Sequence, residues 1–231
     1  MDFRLVIREW PSAARAALAC WTGFAMVAML TFGSEFLSGP DRGALAYWRG
    51  TDGLPFASRP LMTEAFRDIT ALGGVTVRLL FAASVTAIFV ARGRRVLAAL
   101  YAATVMGGWG IGYAFKLLFA RVRPDIVPHL MHADGFSFPS GHAFNSATIF
   151  IAAALAISAH NRGLRPILLT LSVIIAALVA FSRVWLGVHY PSDVVAGWLG
   201  GAACAFMAAP FFDRTAEATS LRGTFPAARE R

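Results

Sequence analysis

The sequence predicts an all-α membrane fold, a single bundle of six transmembrane helices. Of its 231 residues, 57% are apolar and only 15% are charged. The apolar residues gather in stretches of about twenty, long enough to cross a hydrocarbon core about 30 Å thick. Short breaks of Gly, Pro, Asn and Arg separate them, as chain reversals between helices require. A soluble domain of this length must cover itself with polar surface and keeps its apolar runs short.

The predicted spans cover residues 14–37, 69–91, 96–119, 142–158, 167–182 and 194–212. The breaks fall at Ser38-Gly39-Pro40, at Gly93 with its flanking arginines, at Arg123-Pro124, at Asn161-Arg162-Gly163 and at Tyr190-Pro191. The chain reads as one domain over 1–231, with a core of about 69–212 and a tail of 213–231. The first stretch follows Arg4, Arg8 and Arg15 but outruns a signal-peptide h-region and ends in no A-x-A site, so it is expected to be retained as a span. The segment 38–68 has prolines and the aromatics Tyr47, Trp48, Phe56 and Phe66, and is expected to lie along the outer interface.

The net charge of +8 is best placed on lipid-facing loops, because no basic and aromatic residues interleave on a soluble module; nucleic acid is not an expected partner. Arg92, Arg94, Arg95, Arg162 and Arg165 lie on loops of one side, with the N-terminal arginines and with Arg214, Arg222, Arg229 and Arg231 of the tail. On the other side, Arg42, Arg49, Arg59 and Arg67 are balanced by Asp41, Asp52, Glu64 and Asp68, which leaves Lys116, Arg121, Arg123 and Arg183. The positive-inside rule therefore predicts both termini in the cytoplasm. Cys20 and Cys204 sit inside apolar stretches and read as small core residues.

Three clusters fall on the outer side. Lys116 is followed by six residues and then Arg123-Pro124. Pro139-Ser140-Gly141-His142 opens the fourth span. Ser182-Arg183 is followed by five residues, then His189, three more and Asp193. In this order and spacing they resemble the three-part signature of the type 2 phosphatidic acid phosphatase superfamily: K-x6-R-P, P-S-G-H and S-R-x5-H-x3-D. Every signature position is filled between Lys116 and Asp193, and the six-span layout resembles that of the family's membrane members.

The residue types also make sense by themselves. A phosphoryl group in transfer carries negative charge on its equatorial oxygens, and fixed cations and donors stabilise it. Lys116, Arg123 and Arg183 supply positive charge, and Lys116 is the only lysine in an arginine-rich chain. Ser140 and Gly141 open a helix whose free N–H groups and dipole favour an anion. A histidine is able to move protons near neutral pH.

The resemblance implies the individual roles: His189 as nucleophile forming a phosphohistidine, Asp193 as its orienting carboxylate, and His142 as general acid. Lys116, Arg123, Ser140, Gly141 and Arg183 would bind phosphate. It implies catalytic loops at the outer interface of a multi-pass protein of the bacterial inner membrane, working on a phosphorylated lipid drawn from the bilayer. Undecaprenyl diphosphate is the leading expectation, with phosphatidylglycerophosphate, phosphatidate and lipid A phosphate as alternatives.

No cofactor and no metal are expected, since Asp125, His129, His132 and Asp134 show no tight ligand spacing and lie beside three cations. A vanadate haloperoxidase reading conflicts with the spans, because those relatives are soluble. A transporter would instead show repeats and polar residues near the bilayer midplane. Two features remain. Asp68-Ile-Thr-Ala-Leu-Gly-Gly reads as an N-cap with close glycine packing at the start of span two, and Arg78 lies in that span, where a charge should face the bundle and pair.

Overall fold

A computed structural model describes residues 3–34, 36–49 and 60–224. Arg59, Asp52 and Phe56 of the predicted interfacial segment, and Arg229 and Arg231 of the tail, lie outside the described residues. The described helices are α1 (Phe3–Phe32), α2 (Ser38–Arg49), α3 (Pro60–Ala71), α4 (Val75–Ala91), α5 (Arg95–Phe119), α6 (Gly141–Ser158), α7 (Arg165–Trp185) and α8 (Pro191–Thr224). A 3-10 turn, Arg162–Leu164, precedes α7.

Among the described residues, five helical stretches are long and apolar enough to cross a membrane: Ser12–Phe32, Arg95–Phe119, Gly141–Ser158, Arg162–Trp185 and Pro191–Thr219. The pair α3 and α4, bent by 44° at a short break, passes the same test together. The all-helical membrane class predicted by the sequence is the observed one, with three corrected boundaries. The first span stops at Phe32, because Gly33 and Ser34 end the helix ahead of the expected break. The second does not start at Ile69. Its helix begins at Pro60 and is interrupted at 72–74, where Gly73 and Gly74 turn the chain. The sixth does not end at Phe212, since α8 runs on to Thr224.

Helix α6 is largely apolar and buried on all sides, and it sits at the centre, against α4, α5, α7 and α8. Its approach to α8 is very close. A Cβ at Gly201 would overlap the Phe144 carbonyl oxygen, and one at Gly197 would stand 2.6 Å from that of Ser140. These glycines lie four apart on one face of α8, the spacing that lets two membrane helices touch backbone to backbone. Around the core, leucines, valines and isoleucines such as Leu80, Val96 and Ile167 remain exposed. In water so much apolar surface would be a liability, whereas lipid tails accommodate it.

The two ends of the bundle differ. At one end Asn161 caps the 3-10 turn, and its side chain accepts from Gly163 N–H at 3.2 Å. There Arg165 pairs with Asp213 at 2.5 Å, and Arg162 reaches Asp213 and Glu217. The other end carries α2, the loop 120–140 and the starts of α6 and α8. Asp41, Leu45 and Trp48 recur at helical spacing on one face of α2, and they turn inward. Helix α2 is therefore docked on the bundle rather than lying free along the interface. Trp48 and Phe66 pack on Trp185, with ring centres 5.4 and 4.5 Å apart.

Candidate active site

All the residues singled out by the motifs come together at this second end. Lys116 and Arg183 lie in the last turns of α5 and α7, where a cation suits the helix dipole. Ser140 caps α6, and Gly141 and His142 form its first turn. In an α-helix such first-turn amides have no carbonyl of their own to bond. His189 sits in the short link between α7 and α8, and Asp193 in the first turn of α8.

His189 is 1% exposed. Its Nδ1 faces Asp193 Oδ2 at 3.4 Å and Ser137 Oγ at 3.2 Å, while its Nε2 faces Arg123 Nη1 at 3.0 Å. The ring is thus held in one orientation, with Nδ1 toward acceptors and Nε2 toward cations. Its pKa is held well below the ordinary imidazole range, first by burial and then by the charges of Arg123, Arg183 and Lys116. A neutral ring with its proton on Nδ1 leaves a lone pair on Nε2.

Asp193 is fully buried and fully hydrogen-bonded. Its Oδ2 accepts from Ser137 Oγ at 2.5 Å and from the Tyr190 N–H at 3.0 Å. Its Oδ1 accepts from Arg121 Nη1 at 2.6 Å. Arg121 in turn donates to Asp41 Oδ2 at 2.8 Å, and Asp41 receives the Ser192 N–H at 2.9 Å and the Ser192 hydroxyl at 2.5 Å. Helix α2 is tied in this way, through Asp41 and Arg121, to the carboxylate beside His189. Burial works against the Arg121 charge, but Asp193 and Asp41 outweigh it and raise its pKa. Its guanidinium also lies 4.2 Å over the Tyr190 ring, a cation–π contact.

The remaining cations are braced largely by backbone. Arg123 donates to the carbonyls of Asp134, Gly135 and Val188 at 2.7, 3.0 and 2.8 Å, and its pKa is lowered, mainly by burial. Lys116 Nζ donates to the Phe136 carbonyl at 2.6 Å. Arg183 Nη1 donates to Thr70 Oγ1 of α3 at 2.9 Å. Among the described residues, two buried polar atoms here have no hydrogen-bond partner: Ser140 Oγ and Arg183 Nε. Native structures rarely strand such groups without a ligand or ordered water to satisfy them.

The ring of His142 rests against the break between α3 and α4. A Cβ added at Gly73 would come within 3.1 Å of His142 Cδ2 and 2.5 Å of Val179 Cγ1, so only glycine fits between them. The close glycine packing read in Asp68-Ile-Thr-Ala-Leu-Gly-Gly is present, but Asp68 caps no helix: it lies inside α3 and is exposed.

Sequence reasoning missed Asp41, Ser137, Thr70 and the role of Arg121, which it treated only as an outer-side cation. The available signal was Arg121 itself, a third cation between Lys116 and Pro124 with no motif position to explain it. Among the described residues no cluster of three or more His, Cys, Asp or Glu is arranged to hold a metal ion. His132 and Asp134 pair 3.3 Å apart but stand out in the open, and His129 is turned to the Pro124 carbonyl.

Fold and site together define a class: a polytopic helical membrane protein holding a buried imidazole among lysine and arginine at one end of its bundle. The PAP2 superfamily model matches residues 95–216, more than half of the chain. The protein belongs to that superfamily. It is 38% identical over 97 residues to phosphatidylglycerophosphatase B of Bacillus subtilis, covering 41% of this chain and 47% of the relative. It is 38% identical over 109 residues to undecaprenyl-diphosphatase of Sulfolobus acidocaldarius, covering 42% of this chain and 46% of the relative. The matched regions thus span about half the length of these curated relatives. Among solved structures, that of a transmembrane PAP2-type phosphatidylglycerolphosphate phosphatase from Bacillus subtilis superposes with a TM-score of 0.74 at 24% identity. The superposition covers 93% of this chain and 98% of that one, and it establishes a shared fold.

Proposed function

We propose that this protein is a metal-independent lipid phosphate phosphatase that works through a phosphohistidine at the outer face of the bacterial inner membrane, with both termini in the cytoplasm. The observation that carries the reading is the pinned imidazole: Nδ1 against Asp193 and Ser137, and Nε2 3.0 Å from Arg123. A phosphoryl group entering between them takes over the Arg123 donor. Its oxygens also meet the unsatisfied Arg183 Nε and Ser140 Oγ, the Lys116 ammonium and the first-turn amides of α6.

Nε2 then attacks phosphorus in line, the bond to the leaving oxygen breaks, and His142 delivers a proton to that oxygen. Asp193 stabilises the charge that forms on His189. Water, with His142 now acting as base, splits the phosphohistidine and releases inorganic phosphate. Positioning and fixed charge supply the catalysis, as is usual for phosphoryl transfer.

The substrate proposed first is a polyprenyl diphosphate, undecaprenyl diphosphate in particular. The alternatives are phosphatidylglycerophosphate, phosphatidate and lipid A phosphate. Membership of the PAP2 superfamily and the activities named for the relatives support this group of substrates without ranking it. The test is phosphate release by detergent-purified protein from these four lipids in EDTA, beside His189→Ala. Release that the substitution abolishes is expected, and the order of rates names the substrate. Activity that disappears in EDTA, or survives in His189→Ala, overturns the mechanism.

A further inference from the structure

One buried charge has no part in that chemistry. Arg78 stands in the first turn of α4 and is 8% exposed, and among the described residues its guanidinium has no hydrogen-bonding or ion-pair partner. A charge within a membrane span is costly and rarely present without a use. Side chains on a helix lean toward its N-terminus. For α4 that is the Gly73–Gly74 break, whose Gly74 carbonyl accepts the Arg78 N–H at 3.1 Å and whose Gly73 packs on His142. Arg78 thus lies at the end of α4 nearest that break, and its charge is among those whose field reaches the His142 ring.

Arg78 also lines a cavity of about 50 Å³ whose other walls are largely apolar, Val75, Leu79, Val105, Met106, Trp109 and Ile149, with Asn145 of α6 beside them. Asn145 Nδ2 donates to the Gly141 carbonyl at 2.8 Å, which joins the cavity wall to the first turn of α6. A volume of about 50 Å³ has room for a few waters, the bulk of one tetrahedral oxyanion.

We infer that this cavity is a second anion site, and that Arg78 there binds the inner phosphate of a lipid diphosphate while the terminal phosphate lies on His189. The inference rests on the phosphohistidine reading above and narrows its substrate to diphosphates. His189 Nε2 bonds to the terminal phosphorus, and the bond from that phosphorus to the bridging oxygen breaks. The electron pair stays on the bridging oxygen, which takes the His142 proton and departs as part of a lipid monophosphate. Arg78 faces the negative charge of this inner phosphate, which grows on the bridging oxygen until the proton arrives. A monophosphate ester puts no phosphate in that position and engages Arg78 less.

The experiment compares kcat/KM for undecaprenyl diphosphate and for phosphatidate in the wild type, Arg78→Gln and Arg78→Lys. In Arg78→Gln the ratio of diphosphate to phosphatidate is expected to fall about tenfold or more, and in Arg78→Lys to recover in part. An unchanged ratio, or equal losses on both lipids, overturns the assignment. A second arm measures binding of inorganic diphosphate and inorganic phosphate to His189→Ala with and without Arg78→Gln. Preferential weakening of diphosphate supports the site, and equal weakening or none refutes it.

If the wild type releases phosphate from neither lipid, the functional reading fails, and the binding arm still decides the Arg78 site. Should Arg78→Gln not fold, Asn145→Ala carries the same comparison from the opposite wall.

Discussion

At the scale of single residues, the site is a chain of charges of alternating sign, Asp41, Arg121 and Asp193, that ends on the neutral imidazole of His189. Each member is held by the next over hydrogen-bonding distances of 2.6–2.8 Å, except for the longer 3.4 Å step from Asp193 to the ring. Replacing His189 by Ala is expected to lower kcat at least about a thousandfold with the fold retained, measured by phosphate release and thermal unfolding in detergent. His142→Ala should cost much less on an aryl phosphate than on a lipid alkyl phosphate, because a good leaving group needs little protonation. Equal losses on the two would remove His142 from the acid role.

The depressed pKa of His189 also bears on stability. The folded protein keeps this ring neutral, whereas the unfolded chain protonates it near an ordinary pKa of about 6.5. Between the two values the unfolded state binds more protons, so stability is full above about 6.5 and is lost as pH falls below it. Unfolding temperatures of ligand-free wild type and His189→Asn should therefore converge as pH falls from 7.5 toward 5. A constant gap would contradict that linkage.

At the scale of elements, two close approaches shape the molecule. The contact of α6 with α8 depends on Gly197 and Gly201, and that of the α3–α4 break with α6 depends on Gly73. Gly201→Ala would drive a methyl group into the Phe144 carbonyl oxygen of α6, which only a shift of one helix relieves. The expected penalty is about 1–3 kcal/mol, read as a lower unfolding temperature in detergent. Gly107, on α5, has nothing within 4 Å of where its Cβ would stand. Gly107→Ala should be neutral or stabilise by up to about 1 kcal/mol, since alanine is the better helix former. If both alanines behaved alike, close packing would not be what keeps Gly201. Helix α2 has a different task. Through Asp41 it supplies the buried end of the Arg121 bridge, so Asp41→Asn should lower kcat about tenfold with KM little changed, and Asp41→Glu should recover part of the loss.

At the scale of the whole molecule, the bundle is asymmetric from end to end. One end is closed by the Arg162, Arg165, Asp213 and Glu217 pairs, and the other holds the imidazole among its cations. The proposed orientation puts the first end in the cytoplasm. In a background with Cys20 and Cys204 replaced, His132→Cys should react with an impermeant maleimide in sealed right-side-out vesicles. Asn161→Cys should react only after the vesicles are opened. The opposite pattern would invert the topology and move the site to the cytoplasmic face.

The sequence by itself determined the class of fold, the approximate spans and the set of residues expected to form the site, which the fold gathers at one end of the bundle. Apolar length and the spacing of Lys116, Arg123, Ser140, His142, Arg183, His189 and Asp193 are local properties, and local properties can be read along a chain. Only the tertiary structure decided who holds these residues. Asp41 lies 80 residues from Arg121 in the chain, and Thr70 lies 113 from Arg183. No periodicity or motif encodes such pairings, because they exist only once helices from different parts of the chain pack together. The same is true of the α3–α4 break. Gly73-Gly74 is visible as a pair of glycines, but its use, admitting the His142 ring, depends on where α6 comes to rest.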